Sequence, residues 1–255
     1  MCTITRVELP CVAQLKRAVT SLTRKMTANQ ELRIKNADEP ARFMDSEVEL
    51  FGEITNMQAL ATSPELYVEF VKLNGVTKMT ELLDHENKDI ALAAVELANE
   101  LTDPEALVEA ESEDGARALV DALVEKSFLE LLIKNLQRLD EAEDDQRQGV
   151  YNTLAIVENL SEVQPAALDS MCEKSDLVAW LLQRLTVKAF DQNKLYASEI
   201  LSILCQSSDA NKARIGGGGG IDKLLGLVAP WKKKEPKDSD ESELISNLFN
   251  TICSA

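Results

Sequence analysis

The chain has 255 residues, of which 45% are hydrophobic but only 4% aromatic, and its formal net charge is −17. That supports a substantial aliphatic core, and no apolar run approaches the ~18 residues of a membrane span. So acidic a surface opposes a nucleic-acid backbone and favours basic peptides or proteins, while seven prolines suit long helices better than many short strands.

The N-terminal MCTITRVELPCVAQLKRAV has no apolar stretch with a cleavage site, so no signal peptide is read there. Val12, Leu15, Val19, Leu22 and Met26 step by three and four, which predicts an amphipathic helix packing on its own domain. A second helical pattern follows Pro40, with Phe43, Val48, Leu50, Phe51, Ile54, Met57 and Leu60. Ser63-Pro64-Glu65 then reads as a helix start, with serine capping and proline in the first turn.

From there a unit recurs. Asn74-Gly75 ends one helix, Val76 to Leu83 forms a second, His85 to Asp89 a polar turn, and Ile90 to Leu101 a third. Middle helices recur at Leu129–Leu136, Leu177–Leu185 and Ile221–Leu227, each followed by a polar loop and another helix. Val76, Leu129, Leu177 and Ile221 are 53, 48 and 44 residues apart. Such a period, varying through one loop, is the pattern of armadillo or HEAT repeats, whose apolar faces are covered only by stacking. The expected fold is an all-α, right-handed armadillo/HEAT-like superhelical solenoid. Residues 1–64 are expected to form an N-terminal helical cap, and residues 65–255 about four repeats, the last one truncated.

Gly216 to Gly220 raise the question of a phosphate loop. Ile221-Asp222 stands where a P-loop needs Lys-Ser/Thr, a dinucleotide fingerprint needs glycine at 221, and both need a preceding strand. The run is therefore expected to be a loose joint between helices.

No catalytic constellation emerges, and neither an enzyme activity nor a cofactor or metal is expected. Carboxylates sit in solvated runs rather than against walls that would raise a pKa. The loop 140–145 lacks the glycine and terminal glutamate of an EF-hand. His85, the only histidine, reads as a turn residue. Cys2, Cys11, Cys172, Cys205 and Cys253 read as reduced, mostly buried thiols of a cytosolic or nuclear protein. Trp231 beside Lys232-Lys233-Lys234 is weak support for nucleic-acid contact in so acidic a chain.

A protein-binding surface is the remaining function. Residues 1–36 carry seven Lys/Arg against Glu8 and Glu31, whereas residues 101–145 carry 14 Asp/Glu against four basic residues. Third helices line the groove of such solenoids, so their outward polar residues are the candidates. They are Glu96, Asn99 and Glu100, then Glu158, Asn159 and Glu162, then Glu199 with Ser202, then Asn247 and Asn250. Asparagines would bond an extended peptide and glutamates its lysines. The acidic loop adds Glu141, Glu143, Asp144 and Asp145.

NQELRIK (29–35), FMDSE (43–47), ALVDALVEKSFLELLIKNLQRLDE (118–141), GVYNTLAIVEN (149–159), NKLYASEILSIL (193–204), GIDKLLGLV (220–228) and SNLF (246–249) resemble the β-catenin-like protein 1 family. The resemblance implies a nuclear, non-catalytic armadillo scaffold of pre-mRNA splicing in the Prp19-type spliceosomal complex. Its implied partners are splicing factors presenting basic, localisation-signal-like segments, with neither direct nucleic acid nor membrane, and it is compatible with homo-oligomerisation. The alternative is an importin-α-like nuclear import adaptor for basic cargo. That adaptor's ladder pairs Trp with Asn four residues on, and here Asn159 follows Ala155 while Glu96 and Glu100 occupy the rungs of the first copy. The family's Lys/Arg-rich N-terminal localisation signal is not matched, and family members continue with further repeats past Ala255.

Overall fold

The computed structural model describes residues 11–105 and 113–255. Cys2 and the rest of residues 1–10, with residues 106–112 of the acidic segment, lie outside the described residues. The secondary structure among the described residues is helical. The chain divides into two compact units, residues 1–135 and 136–255.

The first unit opens with α1 (Val12–Lys35), whose Leu15, Val19 and Leu22 are buried against α2 (Met44–Met57). Leu50, Ile54 and Met57 form the buried stripe of α2, while Val48 and Phe51 from the same apolar pattern stay exposed. The expected serine cap does not form. Ser63 makes no side-chain bond to the helix, and Pro64–Leu66 is a short 3-10 turn running into α3 (Tyr67–Lys72). Next come α4 (Gly75–Leu83), α5 (Lys88–Thr102), α6 (Glu113–Glu125) and α7 (Phe128–Gln137), the last crossing the unit boundary. α2 packs on α5, so the second helix of the N-terminal region lies beside the first copy's third helix, and α3 packs on α6.

The second unit contains α8 (Asp144–Val163), α9 (Ala166–Lys174), α10 (Leu177–Arg184), α11 (Gln192–Ser207), α12 (Asp209–Gly216), α13 (Gly220–Val228) and α14 (Ser239–Ser254). Like packs on like: first helices α9 and α12, second helices α10 and α13, and third helices α8, α11 and α14 in series. This is the stacking that a repeat with one uncovered apolar face requires. Polar caps fix the helix starts, because the first turn leaves backbone N–H groups unsatisfied. Asp191 accepts from the Lys194 N–H, Ser208 from Asn211, and Asp238 from Glu241. Ser208 and Asn211 also both donate to Asp169 Oδ1, at 2.5 and 3.0 Å, which ties α12 to α9.

The glycine run is a built corner rather than the expected loose joint. Gly218 and Gly219 have φ of +57° and +81°, the left-handed region. A Cβ on Gly220 would lie 1.8 Å from the Ile215 carbonyl oxygen, and one on Gly217 3.0 Å from that of Ala213. The same corner recurs before α4, where Asn74 has φ of 60° and a Cβ on Gly75 would meet the Phe70 ring at 2.0 Å. Before α7 it is Ser127 that has φ of 57°. Three of the corners between first and second helix thus use left-handed residues, whereas the one between α9 and α10 turns through Ser175 and Asp176 at negative φ, and Gly75 and Gly220 are following residues on which no Cβ fits.

Candidate partner-binding face

Two side-by-side third helices in the second unit are aligned by a buried arginine. Arg184 ends α10 and is 7% exposed. Its Nε donates to Glu141 Oε1 at 2.6 Å, and its Nη2 to Glu141 Oε2 at 2.9 Å and Asp191 Oδ1 at 2.6 Å. Burial opposes its charge, but the Glu141 bonds and then Asp191 outweigh that and hold the guanidinium above its ordinary pKa. Asn193 Nδ2 joins the same centre, donating to Glu141 Oε2 at 2.8 Å and to the Arg147 carbonyl at 3.0 Å. The loop before α8 and the turn before α11 are therefore clamped to one another.

This clamp changes the reading of the acidic loop. Glu141, expected to meet a partner, is committed to Arg184 inside the fold. Asp144 pairs with Arg147 at 2.7 Å, and Glu143 and Asp145 are exposed.

The open side of α8, α11 and α14 carries a different acidic group. Glu158 of α8 accepts a hydrogen bond from the hydroxyl of Tyr196 on α11. The Tyr196 ring lies 5.0 Å, centroid to centroid, from that of Tyr151, two turns before Glu158 on α8. The Glu199 carboxyl is pushed above the usual carboxylate range by burial, then by the charges of Glu158 and Glu243. Among the described residues none of these three carboxylates forms an ion pair. The Tyr196 phenol is raised by burial, then by its bond to Glu158, with Glu199 also contributing. Asn247 of α14 donates to Ser198 Oγ of α11 at 3.1 Å and completes the contact between the two later helices. The assumption that the carboxylates sit only in solvated runs is corrected at Glu199, which is half-buried on α11 and feels the charges of half-buried Glu158 on α8 and exposed Glu243 on α14.

The remaining candidates scatter. Asn159 is half-buried, Glu162 and Asn250 are exposed, and Ser202 is buried. Glu96, Asn99 and Glu100 lie on α5 in the first unit, both glutamates exposed. Tyr151, Tyr196 and Glu243 fall outside the set selected by outward polarity. For the two tyrosines the signal was pairing with a glutamate at i+7 (Tyr151, Glu158) and i+3 (Tyr196, Glu199), which puts each pair on one face, whereas Glu243 has no tyrosine on its helix. Among the described residues no three His, Cys, Asp or Glu side chains gather as a metal-binding group, and no described helix is long and apolar enough to cross a membrane. Cys172 and Cys205 are buried free thiols, but Cys11 and Cys253 are exposed, against the expectation for most thiols.

The family model described as catenin-beta-like, Arm-motif containing nuclear matches residues 7–255. The chain belongs to this family. It is 43% identical over 243 residues to beta-catenin-like protein 1 of Homo sapiens, covering 95% of this chain and 43% of that protein. The beta-catenin-like protein 1 homolog of Schizosaccharomyces pombe is 36% identical over 243 residues, with 94% and 42% covered. The catenin-beta-like chain therefore spans less than half the length of these relatives. A designed armadillo repeat protein aligns over 94% of this chain and 99% of its own at 14% identity, with a TM-score of 0.43. The all-α armadillo class expected from the 53-, 48- and 44-residue spacings is the class of this catenin-beta-like chain.

Proposed function

We propose that this catenin-beta-like chain is a non-catalytic armadillo scaffold that takes a basic segment of a partner protein on the face formed by α8, α11 and α14. In this reading residues 1–64 cap the repeats of residues 65–255, the chain acts in the nucleus in pre-mRNA splicing, and its partners are splicing factors of a Prp19-type complex. Family membership supports the setting, and one observation carries the chemistry: half-buried Glu199 feels the charges of Glu158 and Glu243, and none of the three forms an ion pair among the described residues. A lysine or arginine arriving there relieves carboxylate repulsion that the free fold bears, so part of the binding energy is relief of strain already present. Tyr151, 43% exposed beside that group, offers the same cation an aromatic face.

Affinity purification of the tagged chain from nuclear extract tests the setting. Splicing factors should be recovered, and their recovery should fall when Glu158, Glu199 and Glu243 are replaced by glutamine. Recovery of import carriers without splicing factors would favour the adaptor reading instead.

A further inference from the structure

Between α8 and α11 the acidic face carries an aromatic feature that net charge does not explain. Tyr151 and Glu158 stand seven residues apart on one face of α8, and the residue between them there is the small Ala155. Tyr196 of α11 bridges the two. Its ring is tilted 47° to that of Tyr151 at 5.0 Å, and its hydroxyl donates to Glu158 Oε2. That bond leaves Glu158 Oε1 available, and Glu199, one turn after Tyr196, makes no hydrogen bond or ion pair among the described residues. Tyr151 is the open member of the ring pair at 43% exposed, whereas Tyr196 is 9% exposed. Because α11 packs on both α8 and α14, this strip is not the uncovered face of a terminal helix.

We propose that the strip is an arginine seat: a partner's guanidinium stacks on the Tyr151 ring and donates to Glu158 Oε1 and Glu199, so that Tyr151 makes the face select arginine over lysine. This rests on the reading of α8, α11 and α14 as the face for a basic segment. An exposed ring offers a flat surface, which a planar guanidinium uses more fully than a compact ammonium. The available acceptors belong to carboxylates on two helices, which suits a fork of N–H donors better than a point charge. Glu158 and Glu199 are half-buried, so an arriving cation sheds water, and guanidinium is the more weakly hydrated of the two. The same carboxylates repel a nucleic-acid backbone. A fully methylated ammonium wants rings on several sides, but Tyr196 stands against Tyr151 rather than across a gap from it.

The test is fluorescence anisotropy of the whole chain with two labelled peptides of equal length and charge, one carrying arginine and the other lysine at every basic position. The arginine peptide should bind about tenfold tighter, equivalent to ~1.4 kcal/mol. Tyr151→Leu should cut that ratio to about twofold with little change for the lysine peptide, and Tyr151→Phe, which keeps the ring, should preserve it. Dimethylating the peptide's arginines keeps their charge but removes donors, and should erase most of the preference. A merely structural Tyr151 would lower both affinities together and leave their ratio alone. Failure of both peptides to bind would overturn the basic-segment reading and the seat with it. Equal affinity of the two peptides, or a ratio that Tyr151→Leu leaves intact, would overturn the seat alone. So would tighter binding of a trimethyllysine peptide, or a dimer of the free chain that Tyr151→Leu dissociates.

Discussion

Glycines in this chain differ sharply in what they tolerate, although five of them stand in a row. Gly220→Ala drives a Cβ into the Ile215 carbonyl oxygen and should cost about 1–3 kcal/mol, as overpacking does. Gly219→Ala meets open space but a φ of +81°, so its cost should be about 1–2 kcal/mol from backbone strain alone. Gly216, in the last turn of α12, has nothing nearer than 3.7 Å, and Gly216→Ala should gain up to ~1 kcal/mol. At the equivalent corner before α7, Ser127→Gly should stabilise by about 1 kcal/mol, because Ser127 adopts a left-handed φ of 57°. Urea denaturation of the four variants should give that order, and a uniform effect along the run would contradict the built corner.

At the scale of elements, side chains distant in sequence hold the helices in place. Replacing Arg184 by alanine leaves Glu141 and Asp191 facing each other without their shared cation. The expected loss is about 2 kcal/mol or more, below the usual figure for a buried pair because both carboxylates retain some solvent. In the first unit, His85 Nε2 is 3.0 Å from Asn29 Oδ1 and its Nδ1 accepts the Asn87 N–H, which makes Nε2 the protonated nitrogen. Arg33 of α1 bonds both Glu47 and Glu86, and Asn87 donates to Glu47, so this turn also fastens α1 to α2. Burial, then Arg33, holds the imidazole below its ordinary 6.5. The unfolded chain therefore binds the proton first, and stability is full above about pH 6.5 and declines as pH falls toward the folded-state value. His85→Gln should flatten that decline in thermal melts taken across the window. The helices themselves were legible, because apolar residues at three- and four-residue spacing and the repeat period depend only on local order. The clamps were not: Arg184 meets Glu141 across 43 residues, and Arg33 meets Glu86 across 53. Outward polarity selected Glu158 and Glu199, whose charges meet between α8 and α11, but it also selected Glu141, since spacing cannot tell a solvated glutamate from one paired inside the fold.

For the whole molecule, charge sets the function proposed, yet net charge alone is a poor guide to where partners bind. In the proposed reading the residues that matter are Glu199 and the two carboxylates whose charges reach it, Glu158 and Glu243. Glu199 illustrates the trade. Its folded-state pKa lies above the unfolded value, so the free fold gains stability as pH falls through the folded-state pKa towards about 4.5. A bound cation reverses the preference, so affinity for a basic segment should weaken over that same fall in pH. The most direct test is a fluorescence-anisotropy titration of the purified chain with a lysine- and arginine-rich peptide, run alongside thermal melts of the free protein. Glu199→Gln should raise the melting temperature while weakening peptide binding about five- to tenfold, or ~1 to 1.4 kcal/mol, with a shallower dependence on salt. An affinity unchanged by Glu199→Gln at low salt, or a fold destabilised by it, would contradict the acidic face as the binding site.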